Sequence, residues 1–268
     1  MIAAKHATQK PPLTHEVLTD VTDLSLWAGQ MLLQHGADSQ RIEETVHHIG
    51  TGLGCDWLDI LVSPNALIIT ANSDGEFRTK VRRVPRLGVN LAIIDSINDL
   101  SRRIDQGLVD RVYVRAEMER ISKISALYNR WLIVGMIGLS CAAFCRLFGA
   151  EFPVMVVTFF AAAVGMFFRQ EMLKRHFNPY VIVIGTAFVA GVIASTATLL
   201  KIGAQPHLAL AASVLLLVPG VPLINAAEDL LFGHSVTGIV RGLTGALIAL
   251  CIALGLLLAM GLMGVSGL

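Results

Sequence analysis

After Arg130 the chain has little with which to face water. Its last 138 residues carry ten charged side chains, against 31 in the first 130. Five apolar runs follow one another there: Trp131–Gly149, Phe152–Phe168, Tyr180–Leu200, Leu208–Ile224 and Gly242–Val265. Each has about 17 residues or more, near the length a helix needs to cross roughly 30 Å of hydrocarbon at ~1.5 Å per residue. Hydrocarbon offers no partner to a free backbone N–H or C=O, so runs of this length are expected as helices. The composition agrees, since 54% hydrophobic residues and a mean hydropathy of +0.65 are too apolar for an ordinary soluble protein. The expected fold is membrane α-helical: five transmembrane helices within 130–268, preceded by a small α+β cytoplasmic domain over 14–129 and a disordered tail over 1–13.

Basic residues orient these spans. The start, MIAAKHATQKPPLTHE, lacks an apolar core of signal-peptide length, so the amino-terminal domain is expected to stay in the cytoplasm. With that side inside, the inner connections carry Arg130, Arg169, Lys174, Arg175 and Arg241, and the outer ones only Arg146 and Lys201. The asymmetry follows the positive-inside rule and puts the carboxyl terminus outside. Arg111, Arg115, Arg120 and Lys123 precede the first span, where basic residues gain about 1 kcal/mol each beside anionic headgroups.

The first half mixes two rhythms. Val17, Leu18, Val21, Leu24 and Met31 recur at helical spacing from Thr14 to about Gln34, and His35-Gly36 fits a helix stop. Asp38-Ser39 then caps a second helix, with Glu43 and Glu44 near its positive end. Trp57–Val62, Ala66–Ala71 and Glu76–Val84, separated by turn-forming SPN and NSDG, read as an antiparallel meander. In the last of these Phe77, Thr79 and Val81 alternate with Arg78, Lys80 and Arg82, which predicts a half-buried strand with a basic outer face. Asn90–Ile104 reads as a helix and Asp110–Arg130 as helix-prone. No phosphate loop, nucleophile elbow or paired metal-ligand motif is present, and a net charge of +1 suggests no nucleic-acid role. Neither an enzyme nor a cofactor or metal is expected. His47-His48 beside Glu43-Glu44 reads as a surface group, and the four cysteines read as structural.

One span carries polar chemistry. VLLLVPGVPLINAAEDLLFGHSVTGIVR (214–241) is interrupted at Pro219-Gly220 and Pro222, and Asn225, Glu228 and Asp229 follow within a turn or two, with His234 and Arg241 beyond. Proline removes a donor and forces a kink or stop, and a break at membrane depth is tolerated where protein or a watery cavity surrounds it. Asn225 and Asp229, one turn apart, are expected on one face; Asp229, partly desolvated, is expected to have a raised pKa and to carry a proton. Arg169 and Arg241 suit an anionic substrate, and Thr158 lies at membrane depth in the second span. The plainer alternative is that Pro222 starts a helix at the membrane surface and the arginines serve orientation. Close-packed helices are expected at Gly238-xxx-Gly242 and Ala187-xxx-Gly191. Five spans cannot form two equal inverted halves, so a second subunit is the natural source of any symmetry.

LLQHGADSQRIEETV (32–46), VSPNALIIT (62–70), RLGVN (86–90) and above all LLLVPGVPLINAAEDLLFGHSVTG (215–238) resemble the threonine/serine exporter family. The resemblance covers nearly all of residues 16–250. Full-length members have a cytoplasmic domain and about ten spans, and export threonine and serine using the proton motive force. RWLIVGMIGLSCAAFC (130–145) and TFFAAAVGMFFRQ (158–170) resemble the split branch of the family, whose remaining spans come from a small membrane partner of the YjjB type. That branch is associated with succinate export. The resemblance thus implies one subunit of a two-component exporter of small carboxylates in the bacterial inner membrane, with a higher oligomer open. Threonine or serine remains the alternative substrate, and a membrane-anchored ligand sensor the alternative class. The family's Pro-Gly, Asn and Asp positions fall on Pro219-Gly220, Asn225 and Asp229; Glu228 is not part of the pattern.

Overall fold

The computed structural model describes residues 11–84, 88–124 and 128–265. Residues 1–10 of the expected tail and Arg86-Leu87 of the RLGVN motif lie outside the described residues. The chain divides into two compact units: residues 1–125 with 221–243, and residues 126–220 with 244–268.

The first unit is built on α1 (His15–Gln34), α2 (Ser39–Gly52), a sheet of β1 (Trp57–Ser63), β2 (Ala66–Ser73) and β3 (Glu76–Arg83), then α3 (Leu91–Asp105) and α4 (Arg111–Ser122). The strands form an antiparallel meander in sequence order. Its core joins Leu18, Val21, Leu24 and Leu32 of α1 to Ile42, Val46 and Ile49 of α2, Leu67 and Ile69 of β2, and Ile97, Leu100 and Ile104 of α3. Side-chain caps start three of these helices: Asp38 accepts the Arg41 N–H, Asn90 that of Ala92, and Asp110 that of Tyr113. Gly36 ends α1 with φ +90°, a region glycine enters without steric cost, and the Ala37 N–H closes back on the Leu32 carbonyl at 3.0 Å.

The expected faces of β3 are overturned. Arg78, Lys80 and Arg82 turn inward and are only half-buried, while Phe77 and Val81 point out, each 63% exposed. The reason is electrostatic: α1 carries Asp23, 2.7 Å from Lys80 Nζ, and Gln30, which accepts from Arg82 at 3.1 Å. Long basic side chains cover the helix with their stems while their heads are paired, so hydrophobic alternation alone misreads the strand. Three of the four basic residues named before the first span are likewise engaged within the unit. Arg111 and Arg115 both pair with Asp20 of α1, and Arg120 pairs with Glu117 at 2.6 Å.

The second unit contains α5 (Arg130–Leu147), α6 (Phe152–Lys174), α7 (Pro179–Leu199) and α8 (Leu208–Ser213). Two more helices complete the chain: α9 (Gly220–Leu231), and α10 (Ser235–Met263), which begins in the first unit and continues in the second. Among the described residues α5, α6, α7 and α10 are each long and apolar enough to cross a membrane. A fifth crossing exists only if Leu208–Leu217 and Gly220–Leu231, bent sharply at the break between them, count as one span. The expected fourth span, Leu208–Ile224, is therefore not one straight helix. Helix packing in this unit rests on small residues. A Cβ on Gly191 of α7 would sit 2.8 Å from the Ala259 Cβ, and one on Gly255 of α10 2.5 Å from the Ile184 carbonyl oxygen.

Candidate functional site

The break begins where Val218 adopts an extended conformation (φ −59°, ψ 124°), as the residue before a proline must. Pro219 lies between helices, and Pro222 sits in the first turn of α9, where no intrahelical partner awaits its missing N–H. From there α9 and the start of α10 lie in the first unit and carry three of the expected polar residues onto one loop.

That loop is Gly36-Ala37-Asp38-Ser39. Because α1 stops at Gly36 and α2 starts at Ser39, it exposes carbonyl oxygens on one side and unpaired helix-start N–H groups on the other. Asn225 Nδ2 donates to the Gly36 carbonyl at 2.7 Å. Arg241 Nη2 donates to the Ala37 carbonyl at 2.9 Å. Asp229 Oδ1 accepts the Ser39 N–H at 2.9 Å, at the positive end of the α2 dipole. Its other oxygen, Oδ2, lies 2.9 Å from Arg241 Nη1. The contact is an ion pair. It is almost fully enclosed, with side-chain exposures of 1% for Asp229 and 12% for Arg241. Asn225 and Asp229 do share a face, and it is turned onto this loop.

A second contact lies one turn along α2. His234, in the turn between α9 and α10, places Nδ1 3.6 Å from Glu43 Oε1. Burial pushes the Glu43 carboxyl above the ordinary carboxylate range; His234 pulls it down, while Asp59, Asp229 and Glu44 push it further up. Beside the loop, a cavity of about 380 Å³ is lined by Asp38, Arg41, Glu44 and His48 of the α2 segment, Arg102 of α3 and Glu228 of α9. Among the described residues no group of three or more His, Cys, Asp or Glu side chains could hold a metal ion.

The remaining candidates lie in the second unit. Thr158 is fully buried, and its hydroxyl donates to the Val154 carbonyl at 2.9 Å and lies 3.3 Å from Cys145 Sγ. Arg169 is half-buried near the end of α6 and has no ion pair or hydrogen bond among the described residues. Its neighbour Glu171 pairs instead with Arg130 at 3.5 Å. Residue reasoning singled out Asn225, Asp229 and Arg241 but missed the groups that receive them, two backbone carbonyls and one backbone N–H; Glu43 and His234 were each noted, but not their pairing. The one available signal was that LLQHGADSQRIEETV and the broken-span segment both stood out, although 190 residues separate Ser39 from Asp229.

The family model described as "Putative threonine/serine exporter" matches residues 23–263. "Probable succinate transporter subunit YjjP" of Klebsiella aerogenes is 39% identical over 249 residues, covering 92% of this chain and 95% of that one. The protein of the same name in Escherichia coli K12 is 37% identical over 249 residues, 92% of this chain and 96% of its own. An "Uncharacterized protein" of Haemophilus influenzae is 28% identical over 148 residues, 55% of this chain and 49% of its own. No solved structure matches the chain.

Proposed function

The chain belongs to this threonine/serine exporter family, and we propose that it is one subunit of a two-component secondary exporter of small carboxylates, succinate foremost, driven by the proton motive force. The observation that carries this reading is the enclosed Asp229–Arg241 pair beside a proline-broken apolar segment. A guanidinium held by one carboxylate is a ready receptor for another. An incoming substrate carboxylate competes with Asp229 for Arg241, and the exchange frees Asp229 to act on its other contact, the Ser39 N–H at the start of α2. Binding in one place thereby alters a latch between α2 and the α9–α10 segment. Asn225 holds the neighbouring carbonyl, and Pro219, Gly220 and Pro222 keep the segment broken so that backbone and side-chain groups are available. Arg169, half-buried near the end of α6, is a further cation of the kind that suits an anionic substrate. Thr158 remains a lining residue of the pathway.

The partner is a small membrane subunit; the relatives' own names contain the word subunit. We place residues 14–129 on the cytoplasmic side of a bacterial inner membrane, with the carboxyl terminus in the periplasm, on the distribution of basic residues described above. Threonine or serine is the alternative substrate. A ligand-sensing role has one specific observation in its favour, the cavity of about 380 Å³ with both signs of charge on its wall. Efflux of labelled succinate and threonine from proteoliposomes, with and without the partner subunit, separates these readings. Succinate efflux that needs both chains supports the first. Absence of either efflux, with ligand binding retained, favours the sensor.

A further inference from the structure

The acidic contacts Asp229–Ser39 and Glu43–His234, between α2 and the α9–α10 segment, differ in their access to a proton. Asp229 receives a backbone N–H and a guanidinium, and 1% of its side chain is exposed. A proton from water has no open oxygen there to reach. Glu43 differs in every respect. Its side chain is 36% exposed, and the imidazole of His234, itself a proton carrier, lies 3.6 Å from its carboxylate. The charged and titratable groups facing Glu43 are His234 from the α9–α10 turn, Asp59 from β1, Asp229 from α9 and Glu44 on its own helix. Three of the four are acids.

We propose that Glu43, with His234 beside it, is the group that takes up and releases the proton in this unit. The step is simple in its balance: one proton passes from water to a Glu43 oxygen, and the carboxylate becomes neutral. Ser39, whose N–H holds Asp229, lies one helical turn from Glu43. Protonation therefore alters one of two adjacent contacts between α2 and the α9–α10 segment and leaves the other to respond to substrate. The assignment rests on the proton-driven reading above, and it names the residue through which the proton acts. Burial and the acidic neighbours, which raise the Glu43 carboxyl, act in the same direction as the geometry.

Infrared titration of the full-length protein in lipid bilayers tests this without any substrate. The expected result is a protonated-carboxyl band that titrates above the ordinary glutamate range, persists in Asp229→Asn and loses one group in Glu43→Gln. In His234→Gln its midpoint moves to higher pH, because the influence of His234 that lowers the Glu43 carboxyl is gone. A band unchanged in Glu43→Gln overturns the proposal. Should that variant fail to fold, an unmoved midpoint in His234→Gln overturns it instead. Failure of the wild type to export succinate would count against the transport reading alone and leave this titration to be judged by itself.

Discussion

The Asp229 carboxylate accepts the backbone N–H of Ser39 at 2.9 Å, across 190 residues of chain. The same carboxylate holds Arg241, so a single buried group ties the start of α2 to both α9 and α10. Removing one partner of an enclosed ion pair leaves the other charge without compensation, which costs about 3–5 kcal/mol. Asp229→Asn should therefore lower the thermal stability of the purified protein as well as its transport. A double-mutant cycle with Arg241→Gln measures the pair: the double variant should be more stable than the sum of the single losses allows.

Asn225→Ala removes the donor to the Gly36 carbonyl. With the neighbouring contacts intact, a loss of about 0.5–1.5 kcal/mol is expected. Chemical or thermal unfolding of the variant checks it; a stability equal to that of the wild type would remove this bond from the account.

Gly255 lets α10 approach α7, since a Cβ there would lie 2.5 Å from the Ile184 carbonyl oxygen. Gly255→Ala forces a backbone shift and should destabilise by about 1–3 kcal/mol. Gly261, on the same helix, has open space around its missing Cβ and serves as the control. Gly261→Ala should unfold at the wild-type temperature or slightly above.

The raised Glu43 carboxyl has a definite consequence for stability against pH. An acid whose pKa rises on folding binds its proton more tightly in the folded state. Its contribution is most favourable at low pH and is lost as pH rises through the raised value. The wild type should therefore lose stability relative to Glu43→Gln as pH climbs above the ordinary carboxylate range, and the two should converge in acid. Unfolding temperatures measured across pH decide this, and parallel curves would count against it.

Local chemistry made much of the fold readable. The capping residues Asp38, Asn90 and Asp110, the stop at Gly36 and the turns at 63–65 and 72–75 each act within a few residues, so the elements they bound could be read directly. What escaped depends on distant neighbours. Arg78, Lys80 and Arg82 face inward because Asp23 and Gln30 of α1 lie there, which no alternation within β3 reveals. Thr158 stood out as a polar residue at membrane depth, yet its hydroxyl bonds its own helix at the Val154 carbonyl. Asn225, Asp229 and Arg241 were visible as unusual residues in an apolar segment. Their partners Gly36, Ala37 and Ser39 contribute backbone atoms, which any residue type possesses and no motif can single out.

We have proposed that the Asp229–Arg241 pair serves a proton-driven carboxylate exporter completed by a second chain. The most direct test is efflux of labelled succinate from proteoliposomes holding this protein and its small partner subunit, under an imposed pH gradient. The account expects gradient-dependent efflux that requires both chains and is lost in Arg241→Gln. Undiminished efflux by Arg241→Gln, or no efflux from the complete pair under any gradient, would contradict it.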